Sequence, residues 1–347
     1  MVDDLLPFRI VNAAAPIRIC DIGGWTDTWF AGHGKVFNIG VHPCAEVHVR
    51  VHAVGALPGR VVLHAADYGD CYTFEPASLP GRHPLLEAAI DEIGLPDDVS
   101  VEIGISSAAP AGGSTGTSAA VTVALIGALD ALTPGRLTPH DVAYAAHRVE
   151  TERLGNQSGI QDQLCAAYGG INYIEIFAYP HASVTRLSVP DTVWWELGQR
   201  LLLVFLGKAH TSSTVHDQVI ARLEEDAERS PLLDELRNAA EHARDAISAA
   251  DLRALGQAMI DNTDAQRRLH PGLVGEAANR AIGVAAAHRA LGWKPNGAGG
   301  DGGSVTILTG PDMATKRRLT RALQQIDPRF RVIPISLSRD GLRVWDS

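Results

Sequence analysis

A glycine-rich segment between a predicted strand and a predicted helix is the feature that most constrains this chain. A strand is predicted at Val99–Ile105, and an alanine-rich helix follows the segment. Glycine lets the backbone adopt positive φ and approach a ligand, and a helix N-terminus offers free N–H groups to an anion. The segment therefore predicts a phosphate-binding loop made of Gly112, Gly113, Ser114, Thr115, Gly116, Thr117 and Ser118.

A capped turn is the alternative interpretation of the same segment, because Ser and Thr are common helix N-caps. Three glycines and four Ser or Thr residues are more than one cap requires, so phosphate binding is favoured. The segment lacks the G-x-x-x-x-G-K-[ST] pattern of a Walker A loop. Its spacing also differs from the dinucleotide-binding fingerprint, which argues against a nicotinamide-dependent oxidoreductase.

A second glycine-rich segment runs from Asn296 to Ser304 and holds five glycines within seven residues. Such a loop is costly to order, since glycine loses the most conformational freedom on folding. A flexible hairpin connection is the alternative, but strand-like sequence begins at once with Val305–Leu308. Close approach of the backbone at Gly299 and Gly300 to a ligand explains the segment better.

Two acidic residues lie on or next to predicted helices in the middle of the chain. A Thr-Pro-His-Asp sequence from Thr138 predicts a helix start, and Glu150 falls late on that helix. The Ser158-x-x-Gln161 pattern predicts a capping box, which places Asp162 in the first turn of a new helix. Taken alone, Asp162 fits dipole stabilisation equally well, and Glu150 fits a solvated helix face better than a site.

A further segment near the N-terminus combines a glycine turn with residues suited to sugars. A predicted strand containing Arg18 ends at Gly23-Gly24, and Trp25, Thr26 and Asp27 follow. The Trp25 ring could stack on a sugar, and Asp27 could accept hydrogen bonds from two neighbouring hydroxyls. A glycine turn closed by an Asp side chain explains the segment equally well.

Composition excludes several classes of protein. With 30 Lys and Arg against 40 Asp and Glu, the formal net charge is −10, which argues against duplex nucleic-acid binding. The four cysteines are scattered without C-x-x-C spacing, so neither a disulfide framework nor a zinc site is predicted. The N-terminus lacks an apolar signal-peptide core, and no run of about 18 apolar residues occurs. We expect a cytoplasmic protein that has no membrane partner.

Together, in this order, these segments resemble the GHMP kinase superfamily. Ala15–Thr28 is similar to its first motif, Pro110–Ala120 to its second and Asn296–Ser304 to its third. Glu150 precedes Asp162 by twelve residues, as in the sugar-kinase branch. The Gly-Gly-Trp-Thr-Asp-Thr sequence is similar to L-fucokinases and to D-glycero-D-manno-heptose 7-phosphate kinases. Ser114-Thr115 and Asp301 depart from the usual motifs.

The resemblance implies an α+β fold with two domains. The N-terminal domain, residues 1–190, would be ATP-binding and similar to ribosomal protein S5, and residues 191–347 would be ferredoxin-like. It also implies transfer of the γ-phosphoryl group of ATP to a sugar hydroxyl, expected to be the anomeric one of an L-fucose-like sugar or a heptose 7-phosphate.

Roles for individual residues follow from the resemblance. Asp162 would be the general base, and Arg18 would keep it ionised. Ser118 and Glu150 would hold Mg²⁺, while the second and third motifs would hold the phosphates of ATP. The sugar would be bound by Gly24, Trp25, Thr26, Asp27 and His210.

Other functions and the state of assembly stay open at this level. A sensor that binds sugar and nucleotide without turnover is one alternative, and a kinase for a non-sugar alcohol is another. Retention of both Glu150 and Asp162 argues against the sensor. A homodimer is one of the open states of assembly.

Overall fold

Strands and helices occur in blocks rather than in strict alternation, which confirms the predicted α+β class. The computed structural model describes residues 6–76, 81–133, 136–209, 213–223 and 230–347. His210, one of the predicted sugar-binding residues, lies outside these ranges. In the part of the chain that is described, every helix falls short of the length and apolarity needed to cross a bilayer.

The larger sheet is built on two long antiparallel strands, β1 (Arg9–Ile22) and β2 (Gly34–Ala53). Their inward-facing positions are largely Val, Ile and Ala, and these residues form the main hydrophobic core. The sheet's other strands are β3 (Val61–Ala65), β4 (Asp70–Phe74), β5 (Val99–Ser107), β6 (Ile171–Ala178), β7 (His181–Arg186), β12 (Ser336–Leu337) and β13 (Arg343–Asp346). The strand order is β13-β1-β2-β5-β3-β4, with β12 and β6 also paired to β2, and β7 paired to β6.

A smaller sheet is formed by the later part of the chain. Its strands are β8 (Leu201–Phe205), β9 (Gly292–Pro295), β10 (Ser304–Leu308) and β11 (Arg331–Ile333), in the order β11-β8-β10-β9. All residues of β8 and β10 are buried, as expected of short apolar runs in central strands.

Ten α-helices are found within the described ranges. Helix α2 is apolar on every side and is almost wholly buried against β1 and β2, whereas α10 has a strong apolar stripe on a polar helix. They are α1 (Pro84–Ile93), α2 (Thr117–Asp130), α3 (Pro139–Arg148), α4 (Gln161–Tyr168), α5 (Asp191–Arg200), α6 (Ser213–Leu223), α7 (Pro231–Ser248), α8 (Leu252–Leu269), α9 (Glu276–Ala287) and α10 (Met313–Ile326).

The last two strands of the chain return to the larger sheet and pair with its two longest strands. Strand β13 pairs with β1 from Val11 to Ala14, and β12 pairs with β2 at His42 and Val41. Helix α5 begins at Asp191, directly after the predicted boundary at residue 190. The boundary at residue 190 stays a prediction, and the last strands of the chain belong to the first sheet.

Candidate active site

A cleft of about 1340 Å³ brings together segments that are far apart in sequence. Its walls include the whole predicted phosphate loop from Gly112 to Ser118, together with Arg18, Asp162 and Gly297. All four segments singled out from the sequence therefore contribute residues to the lining of one cavity. Residues around Tyr68 and His83 form a further part of the wall.

The phosphate loop is shaped by its backbone and not by a side-chain cap. Helix α2 begins at Thr117, and its N-cap residue is Gly116, which has φ +66° and makes no side-chain capping bond. Ser114 also has positive φ, at +56°, although it carries a side chain. The capped-turn interpretation is therefore wrong. The first N–H groups of α2 lack a capping side chain at the edge of the cleft, where an anion would be stabilised.

Arg18 and Asp162 form a two-pronged ion pair on the floor of the cleft. Arg18 Nε donates to Asp162 Oδ1 at 2.8 Å, and Nη2 donates to Oδ2 at 3.1 Å. The guanidinium is buried, but the Asp162 side chain keeps 26% of its exposure. Burial acts to lower the pKa of Arg18, and the charges of Asp162 and Asp21 outweigh it, so the net pKa is raised. Asp162 is thus held in place and still faces the cleft.

The helix that carries Asp162 begins differently from the prediction. Helix α4 starts at Gln161 with Ile160 at its N-cap, and no side chain of its own caps it. The predicted capping box at Ser158 is therefore wrong, since the Ser158 hydroxyl donates to the Gly159 carbonyl. The Gln161 N–H instead donates to Asp27 Oδ2 at 3.1 Å. A carboxylate distant in sequence does the work of the cap, which a local pattern does not reveal.

The predicted sugar-binding residues of the first motif are buried in this conformation. Thr26 bonds to the carbonyl of Gly23, and Asp27 keeps only 3% of its exposure. The Trp25 indole donates to the Ala298 carbonyl at 3.2 Å and packs on the His216 ring, with centroids 4.9 Å apart. Gly24, Trp25, Thr26 and Asp27 are not among the cleft-lining residues, whereas His216 and Ala298, which contact Trp25, are. Their contact with a sugar stays a prediction.

Glu150 combines burial with an unsatisfied oxygen. It lies in a short π-helical turn, Val149–Arg153, directly after α3, and its Oε1 has no hydrogen-bond partner. Burial raises its pKa to about 7. No group of three or more His, Cys, Asp or Glu residues suited to a metal exists in the described ranges. Ser118 lines the cleft, whereas Glu150 is not among the lining residues. The chemistry of a carboxylate oxygen without a partner and of a Ser hydroxyl suits Mg²⁺, which commonly takes one or two protein ligands and completes its shell with phosphates and water.

The third motif meets the first two through its backbone. Gly297 has φ +70°, and a Cβ there would lie 3.0 Å from Ser114 Cβ. At Gly299 a Cβ would lie 2.2 Å from the Leu273 carbonyl oxygen, and Gly300 bridges to Val274. Neither Gly299 nor Gly300 lines the cleft, so their predicted phosphate contact stays a prediction. A side chain at Gly299 would therefore collide with the backbone at Leu273. Gly300 has φ +107°, which residues with a side chain rarely adopt.

Asp301, which interrupts the glycine run, lies outside the cleft lining. Its carboxylate pairs with Lys208 at 2.7 Å, and both side chains are more than half exposed. An exposed pair of this kind is worth less than about 1 kcal/mol. The departure from the family motif therefore adds no negative charge to the wall of the cleft.

Several residues of the site were not singled out from the sequence. Asp21 and Lys294 are fully buried charges beside Arg18, with Asp21 Oδ2 3.6 Å from Lys294 Nζ. Asn296 accepts from the Cys20 N–H and donates to Ser304, and the Ser304 hydroxyl donates to the Gly113 carbonyl. The sequence pattern that could have indicated them is a charged residue inside an apolar strand. Asp21 lies between Cys20 and Ile22, and Lys294 lies within β9.

Comparison with known proteins agrees with this geometry. Residues 84–170, which include the phosphate loop, Glu150 and Asp162, match the family described as GHMP kinases N terminal domain. Residues 84–170 are thus similar to the N-terminal domain of GHMP kinases. The match ends before β6, so the segments that resemble the first and third motifs lie outside it.

Two curated relatives align with nearly the whole length of this chain. The D-glycero-alpha-D-manno-heptose 7-phosphate kinase of Campylobacter jejuni is 24% identical over 346 residues, covering 97% of this chain and 99% of that protein. The L-fucokinase/L-fucose-1-P guanylyltransferase of Bacteroides fragilis is 22% identical over 98% of this chain. The alignment covers only 39% of that second, longer protein.

Solved structures show the same fold. A D-glycero-D-manno-heptose 1-phosphate kinase from Bacteroides thetaiotaomicron superposes with a TM-score of 0.75 at 22% identity, covering 96% of this chain and 98% of that one. The galactokinase of Lactococcus lactis, solved with galactose, also gives 0.75, at 16% identity and with 96% and 95% coverage. At these identities the likeness concerns the fold.

Gly116→Ala is expected to lower turnover at least tenfold, because the added Cβ would lie 3.2 Å from both Arg18 Cγ and Asp162 Cγ and a small displacement of reacting groups is costly. Gly155→Ala is the matched control, since Gly155 has the same φ of +66° with nothing within 4 Å of the new Cβ. Both variants should lose a similar stability, on the order of 1 kcal/mol. Equal turnover in the two variants would contradict the steric argument.

Asp27 is expected to make stability depend on pH. Burial raises its pKa to about 6 from 3.8, so the folded state binds its proton more tightly than the unfolded state does. The contribution of Asp27 to the free energy of unfolding therefore falls as pH rises from about 4 to about 6, by up to ~3 kcal/mol. Urea unfolding of wild type and Asp27→Asn at pH 4.5 and 7.5 measures this. A difference between the two proteins that is independent of pH would contradict it.

Proposed function

We propose that this protein is an ATP-dependent sugar or sugar-phosphate kinase, which transfers the γ-phosphoryl group to the anomeric hydroxyl of its acceptor. The observation that carries the proposal is the Arg18–Asp162 pair, which faces a cleft whose wall is a glycine-rich loop at a helix N-terminus. A paired carboxylate beside an anion site is what phosphoryl transfer to a hydroxyl requires.

The chain's own groups account for each step. N–H groups of Gly113–Thr117 and the N-terminus of α2 would hold the phosphates of ATP. Asp162 accepts the proton of the acceptor hydroxyl as its oxygen attacks the γ-phosphorus. The bond from that phosphorus to the β-γ bridging oxygen breaks, and ADP leaves. Arg18 keeps Asp162 oriented and offsets negative charge on the transferring group.

Magnesium would be held by Glu150 and Ser118 together with phosphate oxygens. Bound there, it would neutralise the charge that develops on the phosphates during transfer. Coordination requires the carboxylate form of Glu150. Burial, which raises its pKa, makes an incoming cation a natural partner for its unsatisfied oxygen.

The acceptor is either an L-fucose-like sugar or a heptose 7-phosphate, the substrates named for the two curated relatives. A phosphorylated acceptor would need a cation. Among the described residues, three candidates already pair with carboxylates: Lys35 with Glu241, Arg9 with Asp346 and Lys208 with Asp301. An acceptor phosphate would have to displace one of these partners.

The proposal is tested by measuring ADP release with free hexoses, 6-deoxyhexoses and heptose 7-phosphate, and by locating the new ester with ³¹P NMR. Turnover with one acceptor class and a phosphate at C1 is the expected result. Release of ADP only with a non-sugar alcohol such as mevalonate would show that the protein is a kinase for a non-sugar alcohol. Binding of both sugar and ATP without ADP release would make it a sensor.

A further inference from the structure

Two buried charged residues next to the proposed active site have no part in the chemistry above. Asp21 is the second-last residue of β1, and Lys294 lies in β9, two residues before the glycine-rich third motif begins at Asn296. Both side chains are essentially inaccessible, at 1% and 0% exposure. Buried charges are rare unless they are paired, because removing a charge from water costs several kcal/mol. Their retention at this place therefore calls for an explanation.

Asp21 is the point at which three segments meet. Its carboxylate accepts the Gly297 N–H with both oxygens, at 3.1 and 3.0 Å. The same carboxylate lies 3.6 Å from Lys294 Nζ and 3.8 Å from Arg18 Nη1. Asp21 thus ties the third motif to the arginine that holds the proposed base.

The four charges form one alternating chain. Lys294, Asp21, Arg18 and Asp162 follow one another as basic, acidic, basic and acidic side chains, each within ion-pair distance of the next. Burial lowers the pKa of Lys294, and the Asp21 carboxylate opposes that effect. Only the last, Asp162, has a substantially exposed side chain. Without Lys294, the buried Asp21 carboxylate would have Arg18 as its one remaining cationic partner and would draw the guanidinium from Asp162.

We infer that Lys294 and Asp21 are positioning residues of the proposed transfer, which hold the Arg18 guanidinium on Asp162 and fix the Gly297 N–H at the cleft wall. This inference rests on the proposed function. Neither residue lines the cleft, so each acts through Arg18 or through Gly297. Losing Lys294 should therefore reduce kcat and leave the Michaelis constants for ATP and acceptor nearly unchanged.

The first test is a mutant cycle on kcat, with ATP and the acceptor found in the screen above. Lys294→Met keeps most of the length of the side chain and removes its ammonium group. We expect kcat to fall about 100-fold, which is the cost of misplacing a reacting group by about 1 Å. In an Arg18→Gln background the same change should cost less than about threefold, because groups that act through a shared partner are not additive. Equal losses in both backgrounds would overturn the inference.

Lys316→Met is the control for the loss of a lysine that donates to backbone carbonyls. Lys294 Nζ donates to the Pro295 carbonyl, and the half-buried Lys316 Nζ donates to those of Gln199 and Leu201. Lys316 lies on α10 and is not among the residues that line the cleft. We expect it to lower the thermal midpoint without lowering kcat at temperatures well below that midpoint. A loss of kcat as large as that of Lys294→Met would show that general destabilisation is the cause and would overturn the inference.

A second measurement separates the inference from the proposed function. Hydrogen exchange at Gly297 in the ligand-free protein should accelerate at least tenfold in Asp21→Asn, because an amide oxygen binds the N–H less tightly than a carboxylate does. Unchanged exchange would overturn the role of Asp21 even if the wild type is active. If exchange accelerates but the wild type shows no turnover with any acceptor, the role of Asp21 in positioning Gly297 would stand. The proposed kinase function would then be rejected.

Discussion

Asp162→Asn is expected to leave the fold intact and to lower kcat by about 100- to 10,000-fold, the range that a general base contributes. The amide is nearly the same size as the carboxylate but is a poor acceptor for the proton of the attacking hydroxyl. Arg18 would keep one hydrogen bond to the Asn oxygen in place of two to the carboxylate. The measurement is steady-state ADP release at saturating ATP and acceptor, with circular dichroism to follow unfolding.

Asp217→Asn is the control for this substitution. Asp217 lines the same cleft from α6 and is exposed, so the same change of charge in the same cavity should leave kcat nearly unchanged. If Asp162→Asn retained near wild-type turnover, Asp162 would not be the base. Equal losses in the two variants would indicate that the charge of the cleft matters more than the proton acceptor.

Glu150→Gln is expected to raise the Mg²⁺ concentration needed for half-maximal turnover by about 10- to 100-fold, as the loss of a metal-site partner commonly does. An amide oxygen is neutral and so binds a hard dication more weakly than a carboxylate does. The titration is best performed at pH 8, because burial raises the pKa of Glu150 to about 7 and a proton would otherwise compete with the metal.

Glu152→Gln is the control for the magnesium titration. Glu152 lies in the same π-helical turn and is exposed, whereas Glu150 is buried. Its Mg²⁺ requirement should equal that of the wild type. An unchanged titration in Glu150→Gln would remove this residue from the metal site. A lower kcat at saturating Mg²⁺ with an unchanged requirement would point to Asp162, whose charge acts on Glu150, as the affected neighbour.

Much of the fold was predictable because the local signals agreed with the final structure. The bounds of helix α1 (Pro84–Ile93) and helix α10 (Met313–Ile326) agree with their local sequence, since proline or Asp at the start and an apolar stripe define each one. The buried strand β8 followed from its unbroken apolar run. By contrast, the return of β13 to pair with β1 depends on contacts between residues more than 300 positions apart, which no local pattern specifies.

Features of the site that depend on residues close together in the sequence could be predicted. Features that depend on contacts between residues far apart in the sequence could not. The glycine-rich loop and the Glu150–Asp162 spacing are local patterns, and the structure places the loop and Asp162 in the lining of one cleft. The cap of α4 was wrong because Asp27 replaces Ser158 as the acceptor. The role of Lys294 could not be predicted, because its partner, Asp21, lies on another strand. Only the folded structure shows that the two side chains are in contact.

The pairing of β1 has a consequence for the order of folding. β1 carries Arg18 and Asp21, and it lies between β2, which follows it in the chain, and β13, which is close to the last residue. Contacts of such large sequence separation form slowly, because a long loop must close before they contribute. Helices can therefore be regained early during refolding, while turnover returns only after the distant segments have met. Enzymatic activity would then report completed assembly of the chain, and helical content would not.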